Sequence, residues 1–303
     1  MLCSDPFVKN GKAFGCGQCL PCRINRRRIW MHRIMLEALV HNTSSFVTLT
    51  YDERAIPKTT TGKDTLRPED LQKFLKRLRK RLAPLRLRFF ACGEYGETTW
   101  RPHYHVALFG FGPCARGRTR RLPGKSEPRW QECCDTCSII GEAWGSGIVE
   151  VGELCGQSAS YIAGYVVKKM TAKDDARLDG RYPEFARMSN RPGLGYGAIP
   201  EVAATLRHFG VENRGGDVPA ALRHGSKIYP LGRYLTGRLR VEVGYGPEAP
   251  AETLQRLDEG LRLVREDAFS RSISLKQAIK EANEGKREAL LGRYKIFNSR
   301  RVI

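Results

Sequence analysis

No apolar run of membrane-spanning length occurs in this 303-residue sequence. A spanning helix needs about 20 consecutive apolar residues, so neither a transmembrane segment nor a membrane partner is expected. Residues 1–10 contain no long apolar block, which argues against a signal peptide and for an intracellular protein. Acidic residues are in short supply: 32 Asp and Glu stand against 52 Lys and Arg, a formal charge of +20. A few surplus lysines make an ordinary solvated surface; an imbalance of this size points to a polyanion, above all nucleic acid. Cysteine, by contrast, is plentiful, with ten residues. In a reducing compartment that number points away from a disulfide scaffold and towards metal sites or buried thiols. The length allows one large domain or two smaller ones around a proper core.

The chemistry is concentrated in Arg101-Pro102-His103-Tyr104-His105-Val106-Ala107-Leu108-Phe109-Gly110. The run reads as a buried strand that Pro102 begins and Gly110 ends. Side chains alternate across a strand, so His103 and His105 share a face. Two imidazoles so placed can hold a divalent ion, although alone they fit a strand's solvated start equally well. Residues 85–92 read as the preceding strand and 93–100 as the connection, with Glu94 and Glu97 in it. A hairpin sets Glu94 beside His103, and a carboxylate with two imidazoles makes a three-ligand site with open positions. Such a site suits Mg²⁺ or Mn²⁺ polarising a phosphate. Glu97, in the turn, is the weaker choice.

Further elements surround this stretch. Residues 45–51 form a β-branched, aromatic strand whose Thr48 and Thr50 face away from Val47 and Leu49. Pro68, Glu69 and Asp70 open a helix with Leu71, Phe74, Leu75, Leu78 and Leu82 as its buried stripe. Residues 148–151 form a short strand, and 157–170 a helix despite Gly164. On that helix Tyr161 and Tyr165 share one face, with Lys168 a turn further on. Paired tyrosines on a helix ordinarily pack against a core. A phenol, with an ordinary pKa of about 10, becomes a nucleophile only near positive charge, which Lys168, Lys169 and a metal would supply.

The cysteines cluster. Cys16, Cys19 and Cys22, with Cys3 upstream, suit a four-thiolate zinc site; an iron–sulfur cluster or unligated thiols fit as well. A basic start, Arg23 to Arg28, leads into a helix marked by Trp30, Met31, Ile34 and Met35. Residues 112–137 look like an insertion in which Cys114, Cys133, Cys134 and Cys137 make a second zinc knot, on a long and irregular spacing. Residues 196–250 show few periodicities; His208 and His224 stand isolated, and Lys227, Tyr229, Arg233 and Tyr234 mix charge with aromatic rings. Leu254, Leu257, Leu261 and Val264 mark one helix from about 251, and 275–291 another. The expected organisation is therefore a Cys-rich segment and basic helix over 1–44, a core over 45–195, and a basic C-terminal region over 196–303.

Together these pieces resemble the HUH endonuclease superfamily, and within it the replication initiators of microvirus-type single-stranded DNA phages, the gokushovirus branch in particular. Phe46-Val47-Thr48-Leu49-Thr50-Tyr51 matches the first motif, Arg101 to His105 the metal motif, and Tyr161 to Lys169 the two-tyrosine motif. The stretches 16–23 and 188–195 also look like that branch, so the likeness covers residues 3 to about 195. Tyr104 departs from the purely aliphatic residue usual between the histidines, and 112–137 has no obvious counterpart. The resemblance implies an α+β fold with a central antiparallel sheet flanked by helices. It further implies attack by Tyr161 or Tyr165 on a single-stranded DNA origin, leaving a 5′-phosphotyrosine and a free 3′-hydroxyl. Host helicase and polymerase would then drive rolling-circle synthesis in the bacterial cytoplasm. Alternatives are a non-catalytic, zinc-containing nucleic-acid-binding regulator, or a relaxase or transposase of the same superfamily. A histidine-triad hydrolase is disfavoured, because its third histidine is Ala107 here.

Overall fold

Alternating apolar side chains build one antiparallel sheet with a different packing layer on each face. In the computed structural model, residues 2–116, 133–165, 175–211 and 216–299 are described. The chain divides into two compact units, Trp30–Ile199, and Met1–Ile29 together with Pro200–Ile303.

The N-terminal elements are β1 (Phe7–Lys9), β2 (Lys12–Phe14) and the helix α1 (Leu20–Leu39). The sheet of the Trp30–Ile199 unit uses β3 (Ser44–Tyr51), β4 (Arg88–Tyr95), β5 (Pro102–Phe109), β6 (Gly147–Glu153) and β7 (Phe185–Met188). Its order is β6-β3-β5-β4-β7, with every neighbouring pair antiparallel. The histidine strand is thus central.

One face carries Val47, Leu49, Ala91, Tyr104, Val106, Leu108, Val149 and Val151. It is covered by α2 (Pro68–Leu82) and α3 (Asp135–Trp144), through Leu71, Phe74, Leu75, Leu78, Ile140 and Trp144. The sequence explains α2 well. Pro68 occupies its first turn, Glu69 and Asp70 sit at the positive end of its dipole, and Arg79, Lys80 and Arg81 at the negative end. The other face carries Phe90, Cys92, Ala107 and Phe109 beneath Ile34 of α1 and Ala159, Ile162 and Ala163 of α4 (Gly156–Tyr165). Both cores are contiguous and apolar, and burial of large side chains such as Phe74, Phe90 and Phe109 contributes about 1.5–3 kcal/mol each.

A buried carboxylate ties this unit together. Glu37 on α1 pairs with Arg88 of β4 and accepts the Gly195 N–H at 2.7 Å. Arg88 also donates to Pro192 O at 2.7 Å, and Arg33 to Leu194 O at 3.0 Å. The stretch 188–195, singled out in the sequence, is therefore a strap held by α1 and β4.

In the other unit, β1 and β2 form a hairpin turning at Asn10 and Gly11, both with positive φ, as Asn-Gly turns require. α5 (Ile199–His208) precedes the hairpin of β8 (Ala221–His224) and β9 (Lys227–Pro230), then α6 (Gly232–Glu242) and α7 (Ala251–Ser270). Asp217 joins α6 to α7: Arg240 grips both its oxygens, at 2.7 and 2.6 Å, and Thr253 donates to it at 3.3 Å.

The fold class is as expected: α+β, a five-stranded antiparallel sheet flanked by helices, with a Cys-rich N-terminus and a helical C-terminal region. Details differ. Residues 196–250 hold α5, α6 and a hairpin, where the sequence showed little periodicity. The single helix expected over 275–291 is two, α8 (Leu275–Ala282) and α9 (Glu284–Ser299). Asn283 separates them, its side chain donating to Ile279 O at 2.9 Å and so ending the first. Residues 135–144, taken in part as insertion, form α3, whose Trp144 is fully buried.

Candidate metal centre and tyrosine pair

Strand register assembles the centre. Glu94 lies directly opposite His103 on β4 and β5, and Thr50 faces the same histidine from β3. The next row on that face places Cys92, His105 and Thr48 side by side. β4 runs to Tyr95, further than the sequence indicated, so Glu94 stands within the strand while Glu97 is exposed in the turn. Glu94, His103 and His105 bring their ligand atoms within 4.8 Å of one another, and Glu97 does not join them.

One oxygen of Glu94 is 2.8 Å from Nε2 of both His103 and His105. The far nitrogens are engaged elsewhere: Nδ1 of His103 is 3.1 Å from Arg101 O, and Nδ1 of His105 is 3.0 Å from Thr48 Oγ1. A carbonyl only accepts, so His103 carries its proton on Nδ1 and turns the Nε2 lone pair inward. Outer hydrogen bonds of this kind orient metal-ligating histidines. Burial alone would push the Glu94 carboxyl up. Hydrogen bonds and charge from the two histidines outweigh it, holding the group well below the usual carboxylate range. Two nitrogens and a carboxylate converging on one point, with a tyrosine side open, fit a divalent ion.

α4 supplies the tyrosines. Its Ala159, Ile162 and Ala163 pack on the sheet, and the small residues let the helix lie close. Tyr161 and Tyr165, one turn apart, then close over the histidines. The Tyr165 ring stacks near-parallel on His105 at 5.6 Å, and Phe46 does so at 5.4 Å. Tyr161 meets His105 edge-on at 5.1 Å, with its hydroxyl 3.4 Å from Nε2. Burial first, then the negative charge of Glu94, pushes the Tyr165 phenol far up. Lys168 and Lys169 lie outside the described residues. Phe46 and Thr48 gain a place at the site that sequence reading had not assigned. Their signal was the period-two alternation that turns them away from Val47 and Leu49.

Tyr104, between the histidines, points to the opposite face. Its hydroxyl is 2.8 Å from that of Tyr51 and accepts the Arg67 N–H at 3.0 Å, so the buried phenol is satisfied.

Two further groups of ligand atoms lie together: Cys3, Cys16, Cys19 and Cys22, and Cys114, Cys133, Cys134 and Cys137. In the first, Cys3 and Cys19 sulfurs are 3.7 Å apart, against about 3.8 Å for thiolates 2.3 Å from a tetrahedral zinc. Burial opposes ionisation of Cys19, yet the Ser4 and Cys22 N–H groups and neighbouring thiols bring it down to about 6. Cys22 is pushed up to about 12 by burial and by Cys19 and Cys3. One thiolate thus hinders the next, a repulsion that a cation would relieve.

A five-stranded antiparallel α+β unit with a two-histidine, one-carboxylate centre beneath paired phenols defines the class of site. Residues 44–170, which hold all of these groups, match the model of the replication-associated protein ORF2 family. The chain is 34% identical over 185 residues to replication-associated protein ORF2 of Spiroplasma virus 4, covering 60% of this chain and 56% of that one. It is 32% identical over 176 residues to replication-associated protein VP4 of Bdellovibrio phage phiMH2K, covering 55% and 52%. Replication-associated protein ORF4 of Chlamydia phage 1 is 27% identical over 166 residues, covering 53% and 39%. The chain thus spans about half the length of the first two relatives. No solved structure matches. The resemblance read from the motifs holds: model and relatives alike are replication-associated proteins. Among the described residues, no helix is long and apolar enough to cross a membrane.

Proposed function

We propose that this chain initiates rolling-circle replication of a small single-stranded DNA genome by nicking origin DNA with a tyrosine and rejoining ends by strand transfer. The observation that carries this reading is the gathering of both phenols around His105, at ring distances of 5.1 and 5.6 Å, beside Glu94 and His103. A non-catalytic regulator would use the same basic charge and cysteines but has no need of that arrangement. A relaxase or transposase of the same superfamily is disfavoured by the relatives, which carry replication names.

Glu94, His103 and His105 would hold Mg²⁺ or Mn²⁺, which when bound supplies charge that polarises the scissile phosphate. The tyrosine oxygen attacks phosphorus as its proton leaves, and the bond to the 3′-oxygen breaks. The products are a 5′-phosphotyrosine and a 3′-hydroxyl for a host polymerase to extend with its helicase. The covalent link conserves the phosphodiester, so rejoining requires no energy source. Tyr165 makes the first cut and Tyr161 the second transfer, with Lys168 assisting. Because Glu94 disfavours a phenolate at Tyr165, the first cut depends on positive charge at the centre. The Cys3, Cys16, Cys19 and Cys22 quartet holds zinc beside the basic start of α1. The reaction takes place in the cytoplasm of the bacterial host.

Circular single-stranded origin DNA incubated with the protein and Mn²⁺ tests this directly. A covalent protein–DNA band is expected, absent from the Tyr161→Phe, Tyr165→Phe double variant. Tyr165→Phe should block the first nick, whereas Tyr161→Phe should nick but release no closed circles. A covalent band from the double variant would place the nucleophile elsewhere and overturn the reading.

A further inference from the structure

Cys114, Cys133 and Cys137 are buried in the apolar core beneath the sheet, on the face away from the histidines. Cys134 is half-buried beside them. All four sulfurs lie within 4.8 Å of one another. Cys114 and Cys133 sulfurs are 3.5 Å apart, and those of Cys134 and Cys114 3.8 Å. A disulfide needs about 2.05 Å, so these are four thiols and not two bridges. Thiolates 2.3 Å from a tetrahedral zinc stand about 3.8 Å apart, which is the spacing here. An iron–sulfur cluster, whose irons each take a separate thiolate, would spread them further.

We propose that Cys114, Cys133, Cys134 and Cys137 hold a structural zinc ion that fastens the chain leaving the histidine strand to the first turn of α3. Residues 114 and 133 are nineteen positions apart, and no backbone ladder joins them. Cys134 occupies the N-cap of α3 without any side-chain cap hydrogen bond, and Cys137 lies in the first turn. A tetrathiolate zinc carries a net charge of −2, and the N-terminal end of a helix favours a negative group. Hydrogen bonds hold the far end of α3: Trp144 Nε1 donates to Thr50 O at 3.1 Å, and Arg77 donates to Ala143 O and Trp144 O at 2.6 and 2.7 Å. With its first turn fixed by the ion, α3 is held at both ends against the strand that carries Thr48 and Thr50. This site stands independently of the nickase reading.

Zinc analysis tests it in a chain that leaves the quartet intact. Protein carrying Cys19→Ser and His103→Ala, dialysed into metal-free buffer, should retain one zinc per chain. Adding Cys137→Ser should reduce that to none. Retention of no zinc by the first variant, iron in its place, or zinc unchanged by Cys137→Ser would each overturn the proposal. Should the triple variant not fold, thiol modification of the Cys19→Ser, His103→Ala chain decides instead. Release of one zinc equivalent, with four cysteines modified in step, supports the site; no release overturns it.

Discussion

Glu94 is the residue on which the centre turns, because one of its oxygens contacts both imidazoles. His103→Ala or His105→Ala should abolish cleavage yet leave most single-strand binding, since affinity comes from distributed Lys and Arg contacts. Filter binding and nicking assays on the same folded variant separate the two, and equal losses would remove the metal-ligand role. Glu94→Gln should raise the Mn²⁺ concentration needed for nicking, whereas Glu97→Gln should not. Thr48→Val removes only the partner of His105 Nδ1, and a loss of about 10–100-fold in metal affinity is expected. Calorimetric titration with Mn²⁺ measures it. The histidines and tyrosines were legible because their spacings, two and four residues, match strand and helix periods. Glu94 was legible because a hairpin pairs near neighbours. Thr48 and Phe46 were not, since their approach to His105 depends on pairing between strands separated by some fifty residues.

Among the elements, α1 and β4 are joined through Glu37, which is buried, as is the Gly195 N–H bond to it. Burial opposes the ionised form of Glu37. The hydrogen bonds from His41, Gly195 and Arg88 outweigh it and hold the carboxyl below its ordinary value of 4.5. A depressed carboxylate stabilises the fold fully above its unfolded pKa and loses that contribution as pH falls through the folded one. Thermal melts should therefore decline below pH 4.5 in the wild type, and less steeply in Glu37→Gln. At neutral pH the variant should be less stable by roughly 3 kcal/mol, because Arg88 is left without its charge partner. Long amphipathic elements such as α2 could be read in full from their apolar stripe. The β1–β2 hairpin carries its Asn-Gly signal in plain view, but its strands are three residues each, too short for a period to register. β7, four residues long, exists through its pairing with β4 and the strap behind it.

For the whole molecule, the charge of +20 sets the manner of binding. The logarithm of single-strand affinity should fall linearly with the logarithm of salt, with a slope of about −0.7 for each phosphate neutralised. A salt-independent affinity would show that basic surface is not what holds the strand. Composition foretold this trait, whereas the division at 29/30 and 199/200 was hidden, because it joins residues from opposite ends of the sequence. Within the Trp30–Ile199 unit the three metal-ligand candidates all come from a single hairpin, β4 and β5, while the tyrosines come from α4, over fifty positions later. Grip and blade are thus encoded separately. Lesions in α4 can yield a chain that still loads its ion and occupies an origin without cutting it. Such a chain, made alongside the intact one, would act as a dominant inhibitor of replication.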